Sequence, residues 1–235
     1  MERLNILCLH GYRGSGESLR RQLAPLADGL DDLVKFAYLN APSRAAGGFG
    51  WWHAKATEAM AAQMETRIGQ GAKRYQGWPA TLDAVLSVFM RQGPFDGVLG
   101  FSQGAALTAL LVGLRSRGRA AGNAPALPAK ETSSQPEALA FGFAVMIGGF
   151  VSADRELARL YDERSNYELP SAHIIGRSDT VVPREASLAL ASKFENPLIL
   201  EHEGGHVIPK APQMRERFQT FLEDMQQRKG ARALR

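Results

Sequence analysis

Gly100-Phe101-Ser102-Gln103-Gly104 stands between two segments of opposite character. Before it, Phe95-Asp96-Gly97-Val98-Leu99 reads as a short buried strand. After it, Ala105-Ala106-Leu107-Thr108-Ala109-Leu110-Leu111-Val112 reads as a helix of small and apolar residues. A serine on a sharp strand-to-helix turn is pushed into a cleft at the positive end of a helix, and flanking glycines let the two backbones pass close together. In a chain with 24 glycines the bare G-x-S-x-G pattern can arise from composition, so its setting decides the reading. Strand on one side and helix on the other make Ser102 a candidate nucleophile rather than a structural turn serine.

Outward from this turn, apolar runs of strand length alternate with helical patterns. Asn5–Leu9, Val34–Leu39, Gly97–Phe101, Leu139–Ile147, His173–Ile175 and Leu198–Glu201 are the strand candidates. Most lack period-two alternation, as strands covered on both faces of a parallel sheet do. Pro79 to Met90 has a proline in its first turn and apolar residues at helical spacing, and Pro183 to Phe194 repeats that pattern. Met214, Phe218, Phe221, Leu222 and Met225 mark one face of a terminal helix. The alternation predicts one α/β domain over residues 1–235, with a doubly wound, mainly parallel sheet. Two stretches fall outside it. Pro42 to Gly77 opens on Gly47-Gly48-Phe49-Gly50-Trp51-Trp52 and continues as an alanine-rich helical pattern, an insertion able to overhang the cleft. Arg115 to Glu137 is polar and rich in Gly, Ala, Ser and Pro, and is expected to be an exposed, mobile connection.

The bulk properties exclude several classes of function. The 235 residues are 45% apolar and 22% charged, an ordinary globular composition. The net charge of +4 comes partly from Arg115-Ser116-Arg117-Gly118-Arg119 and the tail Arg228 to Arg235; neither is interleaved with aromatics, so no nucleic-acid surface is expected. Cys8, the only cysteine, lies in the apolar run Ile6-Leu7-Cys8-Leu9 and reads as packing. The longest uncharged apolar run, Ala138 to Val151, is shorter than the roughly 18–20 residues a bilayer span needs. A strand is expected to begin close to Met1 and nothing there resembles a signal peptide, so the expected compartment is the cytoplasm. Self-association as a homodimer is left open.

A serine hydroxyl is a poor nucleophile until a base takes its proton and a carboxylate holds that base in the correct tautomer. In doubly wound sheets the partners belong in loops after later strands, in the order Ser, then Asp or Glu, then His. Gly176-Arg177-Ser178-Asp179 follows the strand at 173–175, and His202-Glu203-Gly204-Gly205-His206 follows the strand at 198–201. Asp179 and His206 therefore complete the candidate catalytic set. Asp96 precedes the nucleophile, and Asp154 suits a helix N-cap. His202 sits at a strand end and is expected to point away, while His53 and His173 read as structural or pocket residues. Residues 202–206 also fit H-E-x-x-H, but a zinc site needs both histidines on one helix face; paired glycines directly after a strand argue against that helix, so no metal is expected. The first loop, His10-Gly11-Tyr12-Arg13-Gly14-Ser15-Gly16, lacks the lysine and spacing of a phosphate loop and fails G-x-G-x-x-G at Leu19. Its backbone can instead supply an oxyanion donor, the N–H of Tyr12, beside that of Gln103.

Leu9-His10-Gly11-Tyr12-Arg13, Trp51-Trp52, the run Gly93 to Ala105, Asp179-Thr180-Val181-Val182-Pro183 and Gly205-His206-Val207-Ile208-Pro209 together resemble the FSH family of serine hydrolases along nearly the whole chain. The run from Gly93 to Ala105 is the specific part. The resemblance implies an α/β-hydrolase fold with Ser102, Asp179 and His206 as a triad and no cofactor. It also implies esterase activity on medium or long acyl chains, with acyl-thioester release in some fungal members. The expected partner is thus a small acyl ester or thioester. Trp51, Trp52, Phe150 and Val182 are candidates for an acyl-binding wall with Tyr12; the alternative is that the two indoles only pack the insertion onto the domain.

Overall fold

The computed structural model describes residues 2–56, 73–120, 139–160 and 166–233. The alanine-rich part of the expected insertion, 57–72, lies outside the described residues, as does 121–137 of the expected mobile connection.

Ten strands and six helices are described. The main sheet contains β1 (Leu4–Leu9), β2 (Val34–Leu39), β7 (Gly97–Phe101), β8 (Phe143–Ile147), β9 (Ser171–Gly176) and β10 (Leu198–His202). Their order is β10-β9-β8-β7-β1-β2, and every neighbouring pair is parallel. Four short strands, β3 (Ser43–Ala45), β4 (Gly48–Gly50), β5 (His53–Ala56) and β6 (Lys73–Gln76), form two antiparallel ribbons beside it. The helices are α1 (Gly16–Ala27), α2 (Trp78–Gln92), α3 (Gln103–Ala120), α4 (Arg155–Ala158), α5 (Arg184–Ala191) and α6 (Pro212–Ala233).

Side chains alternate across the sheet and split the core in two. Leu7, Leu9, Val98, Ala144 and Met146 pack against α2, α3 and α5. Ile6, Cys8, Leu99, Phe101, Val145 and Ile147 pack against α1 and α6 on the other face. With both faces covered the strands need no polar side, which is why the sequence shows continuous apolar runs. Helix α3 is buried on nearly every face from Ala105 to Val112, so its small residues are what allow it to lie this close to the sheet. Each fully buried Leu in these layers contributes about 1.5–3 kcal/mol.

Three expectations about elements are corrected. β8 begins only at Phe143, because Leu139, Phe141 and Gly142 are used to reach the sheet: Gly142 N–H donates to the Asp96 carbonyl (2.7 Å). Helix α3 runs on through Arg115 to Ala120, where the sequence suggested an exposed connection; Arg and Ala are good helix formers and extend the ladder across Ser116 and Gly118. Helix α1 was not expected at all. Its Ser15 N-cap and Ser18 form a reciprocal capping box.

The chain runs from β1 outward to β2, then returns to β7 and proceeds through β8, β9 and β10 on the other side. The direction of winding reverses between β1 and β7. Ligand crevices of open parallel sheets lie at the carboxyl ends of strands flanking such a reversal. The loop His10–Tyr12 and Ser102 occupy those two strand ends.

Candidate active site

Ser102 sits between β7 and α3 with φ of +55°, a left-handed conformation that side-chain-bearing residues adopt at a cost of order 1–3 kcal/mol. The turn is strapped on both sides. Ser102 N–H donates to the Ile147 carbonyl at the end of β8 (2.8 Å), and the Ser102 carbonyl accepts from Ala105 (2.9 Å) and Ala106 (3.0 Å). A side chain at Gly104 would overlap the Leu9 and His10 carbonyls, and one at Gly100 would overlap Gly104 itself. The glycines of the motif are therefore space requirements of the elbow.

Asp179 and His206, the candidate acid and base, lie on two adjacent loops. Asp179 follows β9, and its Oδ1 accepts from the N–H groups of Val181 (2.9 Å) and Val182 (2.8 Å). Its Oδ2 lies 2.6 Å from Nδ1 of His206, on the loop after β10. With Nδ1 engaged by the carboxylate, the ring's other nitrogen, Nε2, is left to face a substrate or nucleophile. The imidazole stacks on Phe101, the residue before Ser102, at 4.9 Å between centroids and 30° between planes. It also lies over Gly148, the residue after Ile147: a Cβ there would stand 3.0 Å from Cε1 and 3.2 Å from Nδ1 of His206. Gly148 has φ of +56°, so glycine is needed there for backbone and space alike. Three strand ends thus gather Ser102, Asp179 and His206 at one rim of the sheet.

The first loop passes directly against the elbow. A Cβ on Gly11 would approach Phe101 Cδ1 and Ser102 Cβ to 3.2 Å each. Tyr12 comes next, with its side chain 45% exposed and its hydroxyl 3.2 Å from Nδ1 of His53 on β5. Gln103 occupies the first position of α3, where a backbone N–H has no carbonyl four residues earlier in the helix to bind and is free to meet an anion.

The remaining histidines are occupied differently. His173 is buried in β9, 3.2 Å from the Ser171 hydroxyl, and desolvation pushes its pKa down to about 3. His202 closes β10 and accepts from Gly204 N–H at Nδ1 (3.2 Å); burial lowers its pKa, against the opposing pull of the Asp179 and Glu203 charges. Residues 203–211 are not helical, so His202 and His206 do not share the helix face an H-E-x-x-H zinc site requires. Asp154 caps α4 as the sequence suggested.

The expected acyl wall requires correction. Trp51 is 0% and Trp52 2% exposed, so neither offers a surface to the cleft. Trp52 stacks on Tyr75 at 4.5 Å, and Trp51 rests against His10 at 5.1 Å. Val182 is buried as well, and its neighbour Val181 is the exposed residue at 67%. An aromatic pair beside glycines has the same sequence signature whether it faces inward or outward. Phe150 is half-buried against the α2–α3 side of the core. Apolar exposure near the site comes from Tyr12, Val181 and Val207 (53%), each on a loop that also carries a candidate site group. The Gln103 side chain, Gly148 and Phe101 carry no local signal in the sequence, because their partners are all distant in the chain.

Residues 1–218 match the family described as Serine hydrolase (FSH1). "Esterase CG5412" of Drosophila melanogaster is 32% identical over 95% of this chain and 75% of its own length; "Esterase OVCA2" of Danio rerio is 31% identical over 95% and 98%. Among solved structures, Zea mays acyl-protein thioesterase 2 superposes with a TM-score of 0.64 at 20% identity, covering 96% of this chain and 94% of that one. Esterase PE8 superposes at 0.62 with 22% identity, covering 95% and 93%. At such identities the structures speak for the fold, an α/β hydrolase; the match along residues 1–218 goes further, and the chain belongs to the FSH1 family of serine hydrolases.

Proposed function

We propose that this enzyme hydrolyses carboxylic esters or thioesters through an acyl-enzyme formed on Ser102. The observation that carries the reading is the Asp179–His206 contact of 2.6 Å, made beside a serine held at φ +55° on the strand-to-helix turn. His206 Nε2 takes the Ser102 proton as Oγ attacks the acyl carbonyl carbon, and Asp179 holds the ring in that tautomer and stabilises the imidazolium. The tetrahedral oxyanion collects the N–H groups of Gln103 and Tyr12, aimed from the start of α3 and from the β1 loop. Collapse breaks the bond to the alcohol or thiol, which leaves with the proton held by His206. Water then attacks the acyl-enzyme by the same path in reverse, releasing the acid and restoring Ser102.

The acyl portion is expected to be apolar. Tyr12, Val181 and Val207 supply the exposed apolar surface on the loops around Ser102 and Phe150 is half-buried, whereas Trp51, Trp52 and Val182 are engaged inside. The names of the relatives and the acyl-protein thioesterase fold neighbour agree with ester or thioester chemistry. Hydrolysis of p-nitrophenyl esters and acyl thioesters of graded chain length tests the reading. Turnover should rise from acetate to longer chains and vanish in Ser102→Ala; undiminished turnover in that variant would refute it.

A further inference from the structure

The chemistry proposed above uses only the backbone N–H of Gln103. Its side chain is nevertheless buried and commits both amide groups. Oε1 accepts from Trp51 N–H (2.9 Å), and Nε2 donates to the Trp52 carbonyl (2.8 Å). Trp51 then reaches the first loop: its indole Nε1–H donates to the His10 carbonyl (2.7 Å), and its own carbonyl accepts from the Thr81 hydroxyl.

His10 passes the constraint on. Ala41 N–H can only donate, so Nε2 of His10, 3.0 Å away, is its acceptor. The ring proton therefore sits on Nδ1 and is donated to the Gly11 carbonyl (2.7 Å). Burial lowers the His10 pKa and favours this neutral form, while the bond to Gly11 opposes the shift. The Gly11 carbonyl and the Tyr12 N–H belong to one planar trans peptide and point in opposite directions. A bond that fixes the carbonyl fixes the N–H. The same carbonyl also accepts from Gly14 N–H (3.0 Å), so the peptide is held from two sides.

A closed circuit results. It leaves the elbow through the Gln103 side chain, crosses the Trp51-Trp52 backbone, enters the first loop through the Trp51 indole and His10, and returns to the elbow where Gly11 packs on Ser102. We propose that Trp51 and the Gln103 side chain are positioning residues for the oxyanion hole. They hold the Tyr12 N–H at a fixed offset from the Gln103 N–H, and neither side chain touches substrate. The inference rests on the hydrolytic reading above and assigns the buried tryptophan to transition-state geometry in place of acyl-chain recognition.

The experiment compares Trp51→Phe, which keeps an aromatic ring but deletes the bond to His10, with Trp52→Phe, which removes a comparable volume from the neighbouring stack. Both are assayed on a p-nitrophenyl ester for kcat and KM, on a trifluoromethyl ketone that forms a tetrahedral adduct with the serine, and by thermal melting. Misplacing one oxyanion donor should lower kcat of Trp51→Phe by about 10-fold to 100-fold, within the loss seen when such a donor is deleted. KM should stay within about twofold, and the ketone should bind more weakly by the same factor as kcat. Trp52→Phe should retain kcat and ketone affinity. Gln103→Met, which keeps the N–H but removes both amide bonds, should follow Trp51→Phe. Unchanged kcat and ketone affinity in Trp51→Phe would overturn the inference alone, as would equal losses in Trp51→Phe and Trp52→Phe that follow melting temperature. A wild type inactive on every ester would overturn the hydrolytic reading and this inference with it.

Discussion

The two halves of the site are held by different forces. On the β1–β7 side, His10, Trp51, Thr81 and Gln103 are buried and joined by hydrogen bonds. On the β9–β10 side, the loops of Asp179 and His206 are tied by backbone bonds, Arg177 N–H to the His202 carbonyl (2.8 Å) and Ser178 N–H to the Gly204 carbonyl (3.2 Å), and by ion pairs at the surface. Arg177 meets Glu203 (2.6 Å) and Glu201 (3.3 Å), and Arg184 meets Glu201 (2.5 Å). Leaving a buried polar group unpaired costs about 1–3 kcal/mol. Exposed ion pairs are screened and add little. The buried side carries Ser102 and the N–H groups of Gln103 and Tyr12, the proposed nucleophile and oxyanion donors. On the β9–β10 side, backbone bonds between the loops and the stacking of His206 on Phe101 are completed by one short contact, Asp179 to His206, with two backbone N–H groups fixing the carboxylate.

Substitutions can break or sharpen this contrast. The largest effect belongs to the elbow itself: Ser102→Ala should lower kcat by about 10⁴-fold or more while the melting temperature stays the same or rises, since a strained left-handed residue loses only its hydroxyl. Steady-state kinetics with a thermal melt checks both halves of that statement. Next, Asp179→Asn should lower kcat by about 10⁴-fold, because an amide can hold the ring in the wrong tautomer. If its activity fell by less than about tenfold, the Asp179–His206 contact would not be what orients the ring.

A smaller effect concerns stability and acid. His173 has a folded pKa near 3, below its ordinary value of about 6.5. Between these values the unfolded chain binds a proton that the folded chain excludes, so stability falls as pH drops through that window. The loss should approach about 1.4 kcal/mol per pH unit for this one group. Urea titrations between pH 6.5 and 4 should show a shallower acid slope in a folded His173→Phe variant than in the wild type. An unchanged slope would mean that His173 is already protonated in its buried position. The smallest effect is expected at the surface ties: Glu201→Gln should change kcat/KM by less than about threefold. A larger loss would show that the ion pairs, and not the carboxylate contact alone, set the geometry of the acid and base loops.

The candidate site residues are legible in the sequence, and their supports are hidden. Ser102 stands out because its glycines are local to the turn, and Asp179 and His206 because chain order places them after successive strands. The parallel sheet was readable from runs such as Val98-Leu99 and Val145-Met146-Ile147. Helix α1 escaped notice because Gly16 opens it and Pro25 interrupts its pattern, two residues that ordinarily argue against a helix. Strands β3 to β6 are three or four residues each, too short for periodicity to register. The Gln103 amide meets Trp51 across a separation of 52 residues, and nothing local to either one signals the other. For the same reason the burial of Trp51 and Trp52 could not be told from exposure at a cleft mouth.

The central claim is that Ser102 and His206 work as one unit at the rim of the sheet. Fluorophosphonate labelling followed by peptide mass spectrometry tests it most directly. The wild type should carry the adduct on the peptide containing Ser102, and His206→Ala should lose nearly all labelling while remaining folded. An adduct on another residue, or labelling of His206→Ala at the wild-type rate, would contradict the account.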